Sequence, residues 1–481
     1  ATTARVGTAA FLGEQSQTDD RDYRAVPTKM KLLLVSYHFP PDGAIGAVRP
    51  YEFARLLPQH GLDVWVLTVL PEYAERLDPS AVLEGIPMER IIRTSVLPSR
   101  RDRYLQITQG LRRWIRELRD KGTSIQSASS GASTSRRSIP LLWRCFTDWL
   151  SYPDWYAGWL RPALKAADAL MREVHFSAVL STTPPRTPAL IGLALARRYN
   201  LPYVLDLRDP WLPSEEEWTG GTLCPLFRRL QKRLFTRCMR QARIIVANTS
   251  VLAEHLQRNY PQYASIVHIV PNGVPGHICI DSAPFTHSSK FVIAHFGSVY
   301  GARTARTFLQ GIRNWLKDAE TKARIQDIRV WFYGEAVEDI EGYARELGLE
   351  QLVQVHPPVA RAHAVRLMKQ SAVLLLLAQR QPLQVPAKAY EYLATGKPVI
   401  AMTEHDGATG RLLRNAPSCY IAETADEVAQ ALAGLWHNYI QGEALFSDRT
   451  QFLEPLRYPN LAEQLARLVK GVALSGEGKE Q

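Results

Sequence analysis

The stretch Val385-Pro-Ala-Lys-Ala-Tyr-Glu-Tyr-Leu-Ala-Thr-Gly-Lys-Pro-Val-Ile400 decides the fold of this chain. The apolar run just before it, residues 372–378, has the length of a buried strand. Pro386 suits the first turn of a helix, where its missing N–H is not needed. Gly396 and Pro398 suit the end of that helix, and a second apolar run begins directly after them. The stretch therefore predicts a strand–helix–strand unit of a parallel sheet.

Lys388 and Glu391 stand three positions apart and so share one face of the predicted helix. The helix begins where a strand of the sheet ends. Its free amides and the lysine suit a phosphate group, and the carboxylate suits the hydroxyls of a ribose. The same two residues would also fit a capped core helix with a solvent-exposed Lys–Glu pair. A nucleotide site and an ordinary core helix are both open interpretations.

Residues 386–400, read as Pro-Ala-Lys-x-x-Glu-Tyr-Leu-Ala-x-Gly-Lys-Pro-Val-Ile, resemble the donor-binding segment of retaining, family-four glycosyltransferases of the GT-B fold. The resemblance implies that Glu391 holds the nucleotide ribose and that Lys388 faces the diphosphate. The family usually carries another glutamate eight positions earlier, where this chain has Leu383. The resemblance therefore does not extend to recognition of the donor sugar.

Length and composition indicate a globular protein of two or three domains, with 481 residues, 46% hydrophobic and 22% charged. The net charge of +11 is concentrated in two segments. Residues 100–121 hold eight basic and three acidic side chains, and residues 228–243 hold seven basic and none acidic. Anionic lipid, lipid diphosphate and nucleic acid all fit a basic patch. We do not expect nucleic acid, because no aromatic stacking motif accompanies the second segment.

The five cysteines are scattered, without a CxxC pair or a zinc-like spacing to histidine. This pattern predicts reduced thiols in the cytoplasm and no metal site. No apolar run approaches the roughly 20 residues that span a bilayer. We therefore expect a cytoplasmic protein that could lie at the cytoplasmic face of a membrane.

An irregular segment at residues 275–289 marks the predicted domain boundary. Residues 1–29 are polar and precede a first apolar run that starts at Met30, so we expect an unstructured extension or a non-native remnant. The remaining parts are an acceptor domain at 30–274, a donor domain at 290–440, and a helix and tail at 441–481.

The first domain opens with an apolar run at 31–37, a Pro- and Gly-rich loop at 38–47, and a second apolar run at 62–68 after a helix. This order is typical of the start of a Rossmann-like sheet. The loop carries Gly43 and Gly46 but no complete GxGxxG. It resembles the loop that borders the acceptor side of the cleft in the same glycosyltransferases, although a plain β–α turn fits as well.

Three further motifs follow in order: Pro-Asp…Gly-Trp at 153–159, Ser-Thr-Thr-Pro-Pro at 181–185, and Leu-Arg-Asp-Pro-Trp at 207–211. Together they resemble a bacterial surface-polysaccharide branch of the family. Asp209 and His38 are candidates to orient or deprotonate the acceptor hydroxyl. Asp209 could instead pair with the arginine beside it, and His38 could be an ordinary loop residue.

In the second domain, Gly297-Ser-Val-Tyr-Gly-Ala-Arg303 follows an apolar run. Arg303 stands where the family places a phosphate-binding lysine, and Ser298 stands where it usually places an arginine. The turn Gly334-Glu335 resembles the family's Gly-x-Gly turn beside the nucleotide. Glu335 could equally cap the helix that follows.

The resemblance covers nearly all of residues 30–470. It implies an α/β protein with two Rossmann-like domains that face each other across a cleft. It also implies that a C-terminal helix crosses back to the first domain. It implies a hexosyltransferase that moves a sugar from a nucleotide diphosphate to a saccharide or lipid-linked acceptor with retention, without a further cofactor. A nucleotide-sugar epimerase and a non-catalytic partner of a membrane assembly are the alternatives. The predicted catalytic residues are Arg303, Lys388, Asp209 and His38. The predicted nucleotide-binding residues are Gly297, Ser298, Arg303, Glu335, Pro386, Ala387, Lys388 and Glu391. The predicted acceptor-side residues are Gly43, Gly46 and Asp209.

Residues 100–121 predict a basic amphipathic helix, and Trp149, Trp155 and Trp159 follow it in the sequence. Trp and Tyr favour the boundary of a bilayer, and basic side chains favour anionic lipid. The segment therefore predicts contact with an anionic membrane surface. A helix packed by its apolar stripe on the first domain is the alternative.

Overall fold

The computed structural model describes residues 30–78, 83–109, 141–211, 224–274, 276, 290–301 and 303–477. Three predicted features lie outside the described residues. They are the extension at 1–29, the part of the predicted basic helix from residue 110 onward, and the domain boundary at 275–289 apart from Gly276.

The first domain is built on a seven-stranded parallel sheet with the strand order β3-β2-β1-β4-β5-β6-β7. Its strands are largely continuous apolar runs, as expected for a parallel sheet that is covered on both faces. The strands are β1 Met30–Val35, β2 Leu62–Val69, β3 Ile91–Thr94, β4 Ala178–Thr183, β5 Tyr203–Leu207, β6 Ile244–Ala247 and β7 Val267–Ile269.

Helices cover both faces of this sheet and bury apolar side chains against it. The helices of the first domain are α1 Val48–Leu56, α2 at residues 100–109, α3 Leu141–Leu150, α4 Leu160–Glu173, α5 Thr187–Arg198, α6 Pro225–Gln241 and α7 Ser250–Asn259.

The second domain has a six-stranded parallel sheet with the order β10-β9-β8-β11-β12-β13. Its strands are β8 Phe291–Phe296, β9 Ile328–Tyr333, β10 Val353–His356, β11 Val373–Leu377, β12 Val399–Met402 and β13 Cys419–Ala422. The helices are α8 Arg306–Trp315, α9 Ala319–Ala323, α10 Ile340–Glu346, α11 Arg361–Gln370, α12 Ala387–Ala394, α13 Ala408–Leu413, α14 Ala425–Ile440, α15 Thr450–Leu453 and α16 Tyr458–Glu477.

The strand–helix–strand unit predicted from residues 385–400 is confirmed as β11–α12–β12. Pro386 stands directly before the first helical residue, and Gly396 follows the helix with a left-handed φ of 71°. A Cβ at Gly396 would lie 2.2 Å from a ring carbon of Phe446, so only glycine fits both the conformation and the space.

The C-terminal helix α16 crosses back to the first domain, as predicted. Its buried side chains, among them Leu461 and Leu465, join the core formed by β1, β2 and α1. Beside the crossing, the amide of Val274 donates to the carbonyl of Leu456 at 2.9 Å. Gly273 lies against the ring of Tyr458, where a Cβ would be only 2.7 Å from a ring carbon. The interdomain linker and the returning chain therefore run side by side.

The expectation that all cysteines are reduced is wrong for one pair. Cys145 of α3 and Cys224, directly before α6, form a disulfide with a Cα–Cα distance of 5.2 Å. They are 79 residues apart in the sequence, so their spacing could not reveal a contact made by helix packing. Cys238 and Cys419 are free thiols.

The described part of the chain contains no group of three or more His, Cys, Asp or Glu side chains arranged to hold a metal ion. Within the same residues, no helix combines the length and the apolar composition needed to cross a bilayer.

Candidate active site

The carboxyl ends of the two sheets face each other through a contact between the domains. Leu383, in the loop after β11, packs into the core of the first domain beside β6 and α7. Its carbonyl accepts a hydrogen bond from Thr249 Oγ1 at 2.7 Å, and Glu254 pairs with Arg411 at 2.6 Å nearby. At the position where the related family usually has a glutamate, this chain therefore has an apolar anchor between the domains.

The predicted donor half of the site is organised around Glu391 on α12. Its side chain is buried and accepts hydrogen bonds from Lys388 Nζ at 2.6 Å and from Arg361 Nη2 at 2.9 Å. Burial opposes ionisation of this carboxyl, but Lys388 and Arg361 outweigh it and hold the pKa of Glu391 below its usual range. The carboxylate of Glu391 is therefore fixed between the positively charged ends of the Lys388 and Arg361 side chains, near the start of α12.

Arg361 is a site residue that the sequence reasoning missed. It is the first residue of α11, in the segment that follows β10. A basic residue in the first turn of a helix after a parallel strand was the available signal, because such helix starts collect at the ligand-binding edge of an α/β sheet.

Arg303 is held in place beside this cluster. Its Nη2 donates to Gln381 Oε1 at 3.2 Å, and its guanidinium lies 5.1 Å from the ring centre of Tyr300. The Nε atom of Arg303 is buried and has no acceptor among the described residues. The guanidinium is thus pre-positioned and retains hydrogen-bonding capacity.

His295 lies close enough to the two predicted phosphate-binding cations to be affected by their charges. It is buried, and its Nδ1 lies 2.9 Å from the carbonyl oxygen of Leu375. Burial, together with the positive charges of Arg303 and Lys388, lowers the pKa of His295 to about 4. The imidazole is therefore neutral at physiological pH and does not compete with the two cations for an anion.

The turns at Gly297 and Gly334 pack backbone against backbone. Their φ values are 138° and 147°, and a Cβ on Gly334 would lie 2.4 Å from the carbonyl oxygen of Gly297. Ser298, in the first turn, is half-buried, and Glu335 is exposed. Glu335 does not cap α10, because Asp339 accepts the hydrogen bond from the amide of Gly342 at 2.7 Å. Contact of Glu335 with a nucleotide stays a prediction.

The predicted acceptor half contains a buried His–Asp pair. His38 Nδ1 lies 2.7 Å from Asp42 Oδ2, and His38 Nε2 lies 3.9 Å from Glu75 Oε2. The ring of Tyr156 lies 5.7 Å from the ring of His38, which gives the pair an aromatic wall. The sequence singled out His38 but missed Asp42, although a carboxylate four residues away in the same loop was a visible partner.

Gly46 and Asp209 are connected to His38 through Arg208. A Cβ on Gly46 would lie 3.1 Å from both His38 Cδ2 and Arg208 Nη2, so the loop needs glycine here for close approach. Arg208 Nη1 lies 3.6 Å from Asp209 Oδ2, the pairing left open by the sequence. Burial outweighs the nearby arginines and raises the pKa of Asp209. Gly43 instead packs on the loop at residues 76–78, and its amide donates to the carbonyl of Arg76.

The structure thus brings Arg303, Lys388 and Glu391 together on one side of the cleft and His38, Gly46 and Asp209 together on the other. Pro386 and Ala387 form the start of α12 beside the donor cluster. Such an arrangement can bind an anion at the donor side and hold a hydroxyl on the acceptor side.

Comparisons with known proteins identify a family for each domain. The family model described as Glycosyltransferase Family 4 matches residues 153–275, and the model described as Glycosyl transferases group 1 matches residues 290–438. No curated protein sequence matches this chain at a significant level.

Several solved structures share the fold at low sequence identity. Sucrose-phosphate synthase from Thermosynechococcus elongatus is 13% identical with a TM-score of 0.58, covering 93% of this chain and 100% of its own. HepE from Anabaena, solved with UDP and glucose, is 14% identical with a TM-score of 0.53, covering 92% and 99%. The lipopolysaccharide outer core galactosyltransferase WaaB is 13% identical with a TM-score of 0.52, covering 92% and 100%.

The two family models together cover more than half of the 481 residues, one in each domain. The two parallel sheets, the returning C-terminal helix and the shared fold of the solved structures fit the same architecture. The chain belongs to the GT-B glycosyltransferases, with a Family 4 first domain and a group 1 second domain.

Proposed function

We propose that the protein is a retaining hexosyltransferase that uses a nucleotide-diphosphate sugar and a saccharide or lipid-linked acceptor. The observation that carries the proposal is the convergence of Lys388, Arg361 and Arg303 with the buried carboxylate of Glu391 at the start of α12. Two of the structural neighbours, HepE with UDP and a galactosyltransferase, support a nucleotide sugar as the donor class.

The chemical demand is stabilisation of the leaving diphosphate. As the bond between the sugar C1 and the phosphate oxygen lengthens, negative charge grows on the diphosphate and positive charge grows on the sugar. Cations that are already fixed in a partly dry site stabilise this state without reorganising. Lys388, Arg303 and the amides at the start of α12 would supply that stabilisation. The family resemblance implies attack on the same face of the sugar, without a protein nucleophile.

On the acceptor side, we assign removal of the hydroxyl proton to His38, because of its contacts. Asp42 accepts from Nδ1 at 2.7 Å, and Nε2, which lies 3.9 Å from Glu75 Oε2, would take the proton of the attacking hydroxyl. Asp209, paired with Arg208, would orient the hydroxyl. In this scheme the hydroxyl oxygen bonds to C1 as its proton passes to His38.

Replacing Lys388 or Glu391 with alanine is expected to weaken nucleotide binding by about 1–3 kcal/mol, the range for hydrogen bonds to charged groups. Arg361→Ala should give a loss of the same size, because its head shares the carboxylate of Glu391. Arg366→Ala, an exposed arginine on the same helix, is the matched control. Titration calorimetry with a nucleoside diphosphate measures these losses in affinity. Unchanged binding in all three site variants would show that Lys388, Glu391 and Arg361 do not bind the nucleotide.

We also propose that the protein works at an anionic membrane surface, predicted from the sequence to be the cytoplasmic face. In the structure, α2 and α3 pack through Tyr104 and Phe146, whose rings lie 5.2 Å apart. Arg101 lies over Trp155 at 4.6 Å. Large apolar side chains remain exposed around this contact. We call them the apolar rim: Ile107, Leu141, Leu142, Trp143 and Leu226.

One part of the membrane prediction is wrong. Trp159 is fully buried in the first domain, and its indole N–H donates to Thr94 Oγ1 at 2.7 Å. Trp149 and Trp155 are about half exposed, at 47% and 60%. The membrane-facing aromatic residues are therefore these two and Trp143.

Vesicle cosedimentation tests the membrane proposal. The protein should bind anionic vesicles at low salt and leave them at high salt, because exposed charges are screened within about a Debye length. Leu142→Asp should weaken binding, since Leu142 is 84% exposed in the apolar rim. Val337→Asp, at an 85% exposed position in the donor domain, is the matched control. Absence of binding to anionic vesicles at low salt would point to an acceptor free in solution.

A further inference from the structure

A groove between α5 and α6 is lined by cations that the proposed reaction does not use. Its volume is about 670 Å³, and the buried side chain of Leu193 lies at its base. No acidic or aromatic side chain belongs to its lining among the described residues. The cations are exposed, and we call them the groove cations: Arg197, Arg229, Lys232, Arg233, Arg237 and Arg240.

All the groove cations except Arg197, which lies on α5, are on α6. The face of α6 that holds Phe227, Gln231 and Phe235 is buried in the domain, so it does not face the groove. Arg229, Arg233, Arg237 and Arg240 recur every three to four residues and therefore form a single stripe. At 1.5 Å per residue this stripe is about 16 Å long.

These charges lack partners within the part of the chain that the structure describes. No ion pair is formed by any groove cation there, whereas the neighbouring Arg198 pairs with Asp168 and the more distant Arg411 with Glu254. Like charges three or four residues apart destabilise a helix. Packing of the domain gives no reason for such a stripe, so an anionic ligand is the simplest explanation for it.

The direction of the groove indicates what kind of ligand fits. α6 follows β5 and precedes β6, so it runs from the carboxyl edge of the sheet, where the cleft lies, to the opposite edge. Arg229 is therefore near the cleft side, and Arg240 is near the far side. A chain that enters the groove at Arg229 would continue directly away from the candidate active site.

We propose that this groove binds an anionic glycan, with acidic groups along its length, as the trailing part of the acceptor. A single phosphate is too small to meet cations spread over about 16 Å. Single-stranded nucleic acid would use aromatic stacking, which the lining lacks. The cations line a groove between two helices, whereas a lipid surface presents a flat array of head groups. The proposal rests on the proposed function, because it makes the bound chain a substrate.

Direct binding tests the groove without requiring turnover. The probes are oligogalacturonates of increasing length, with neutral dextran oligomers, single-stranded RNA and anionic vesicles as comparisons. We expect the affinity for oligogalacturonate to rise with chain length until the groove is filled, and to fall with salt. The double variant Arg233→Glu/Arg237→Glu should lose at least tenfold in affinity, and Arg258→Glu, an exposed arginine on α7, should lose little.

The outcomes separate the groove from the proposed function. An unchanged melting temperature shows that the double variant is folded, and the single variant Arg237→Gln provides a milder test of the same position. Equal binding of oligogalacturonate by the parent and by both groove variants would overturn the proposal. Preference for dextran or RNA, or loss of vesicle binding in the groove variants, would also overturn it. Groove-dependent binding with no transfer from any nucleotide sugar would instead retain the groove as a glycan site and refute its role in an acceptor.

Discussion

Replacing Arg303 with alanine is expected to lower the turnover number by about 10²–10³-fold, the usual cost of losing one preorganised group that stabilises transition-state charge. The diphosphate carries more charge as it leaves than it does when first bound. The contacts of Arg303 with Gln381 and Tyr300 position its guanidinium before the reaction begins. Nucleotide affinity should therefore fall much less than turnover, a split that steady-state kinetics and calorimetry together would measure.

Arg306→Ala is the matched control for this prediction. Arg306 is exposed at the start of α8 and lies over the ring of Tyr343 at 4.4 Å, much as Arg303 lies over Tyr300. It has no predicted role in the site, so both turnover and affinity should remain near the parent values. If Arg303→Ala lowers affinity and turnover by the same factor, Arg303 anchors only the ground state.

Replacing Asp206 with alanine is expected to lower the free energy of unfolding by about 3–5 kcal/mol, the typical cost of breaking a buried ion pair from one side. Asp206 and Arg49 are both about 1% exposed and form two hydrogen bonds, at 2.8 and 3.0 Å. Arg49 also donates to the carbonyls of Val270 and Pro271. The pair therefore ties α1 and β5 to the linker that leads into the second domain.

Urea unfolding followed by tryptophan fluorescence measures the loss, with the first transition analysed by itself because two domains need not unfold together. Glu463→Ala, in the exposed pair with Arg467 on α16, is the control and should have a small effect. An apolar double replacement, Arg49→Met with Asp206→Leu, should recover part of the stability, since no lone charge is then buried. Equal stability of Asp206→Ala and Glu463→Ala would contradict this account of the linker.

The parts of the fold that depend on neighbouring residues could be predicted from the sequence. The run at 372–378, Gly396 and Pro398 sufficed for β11–α12–β12, because strand burial and helix termination are decided locally. The shared face of Lys388 and Glu391 was predicted for the same reason. Lys388 and Glu391 do share one face, and they contact each other at 2.6 Å.

The parts that depend on distant residues could not be predicted. Arg361 reaches Glu391 across 30 positions, and Cys145 meets Cys224 across 79, because helix packing brings them together. Periodicity also does not say which apolar side chains are covered, so Trp159 was assigned to the surface although it lies in the core.

Leu383 shows a different limit of prediction from the sequence. The sequence indicated that a family glutamate was absent there, but it gave no sign of what replaced it. The structure shows a contact between the domains, with Leu383 packed beside α7 and its carbonyl bonded to Thr249.

Acceptor-dependent release of nucleoside diphosphate tests the central claim most directly. The protein would be incubated with a panel of nucleotide sugars, with and without saccharide and lipid-linked acceptors, and the anomeric configuration of any product would be determined by NMR. We expect release of the diphosphate only with an acceptor, loss of that release in Arg303→Ala, and a product that retains the configuration of the donor. An isomerised nucleotide sugar without transfer would show an epimerase, and absence of any turnover across the panel would indicate a non-catalytic partner; either result would contradict the proposed glycosyl transfer.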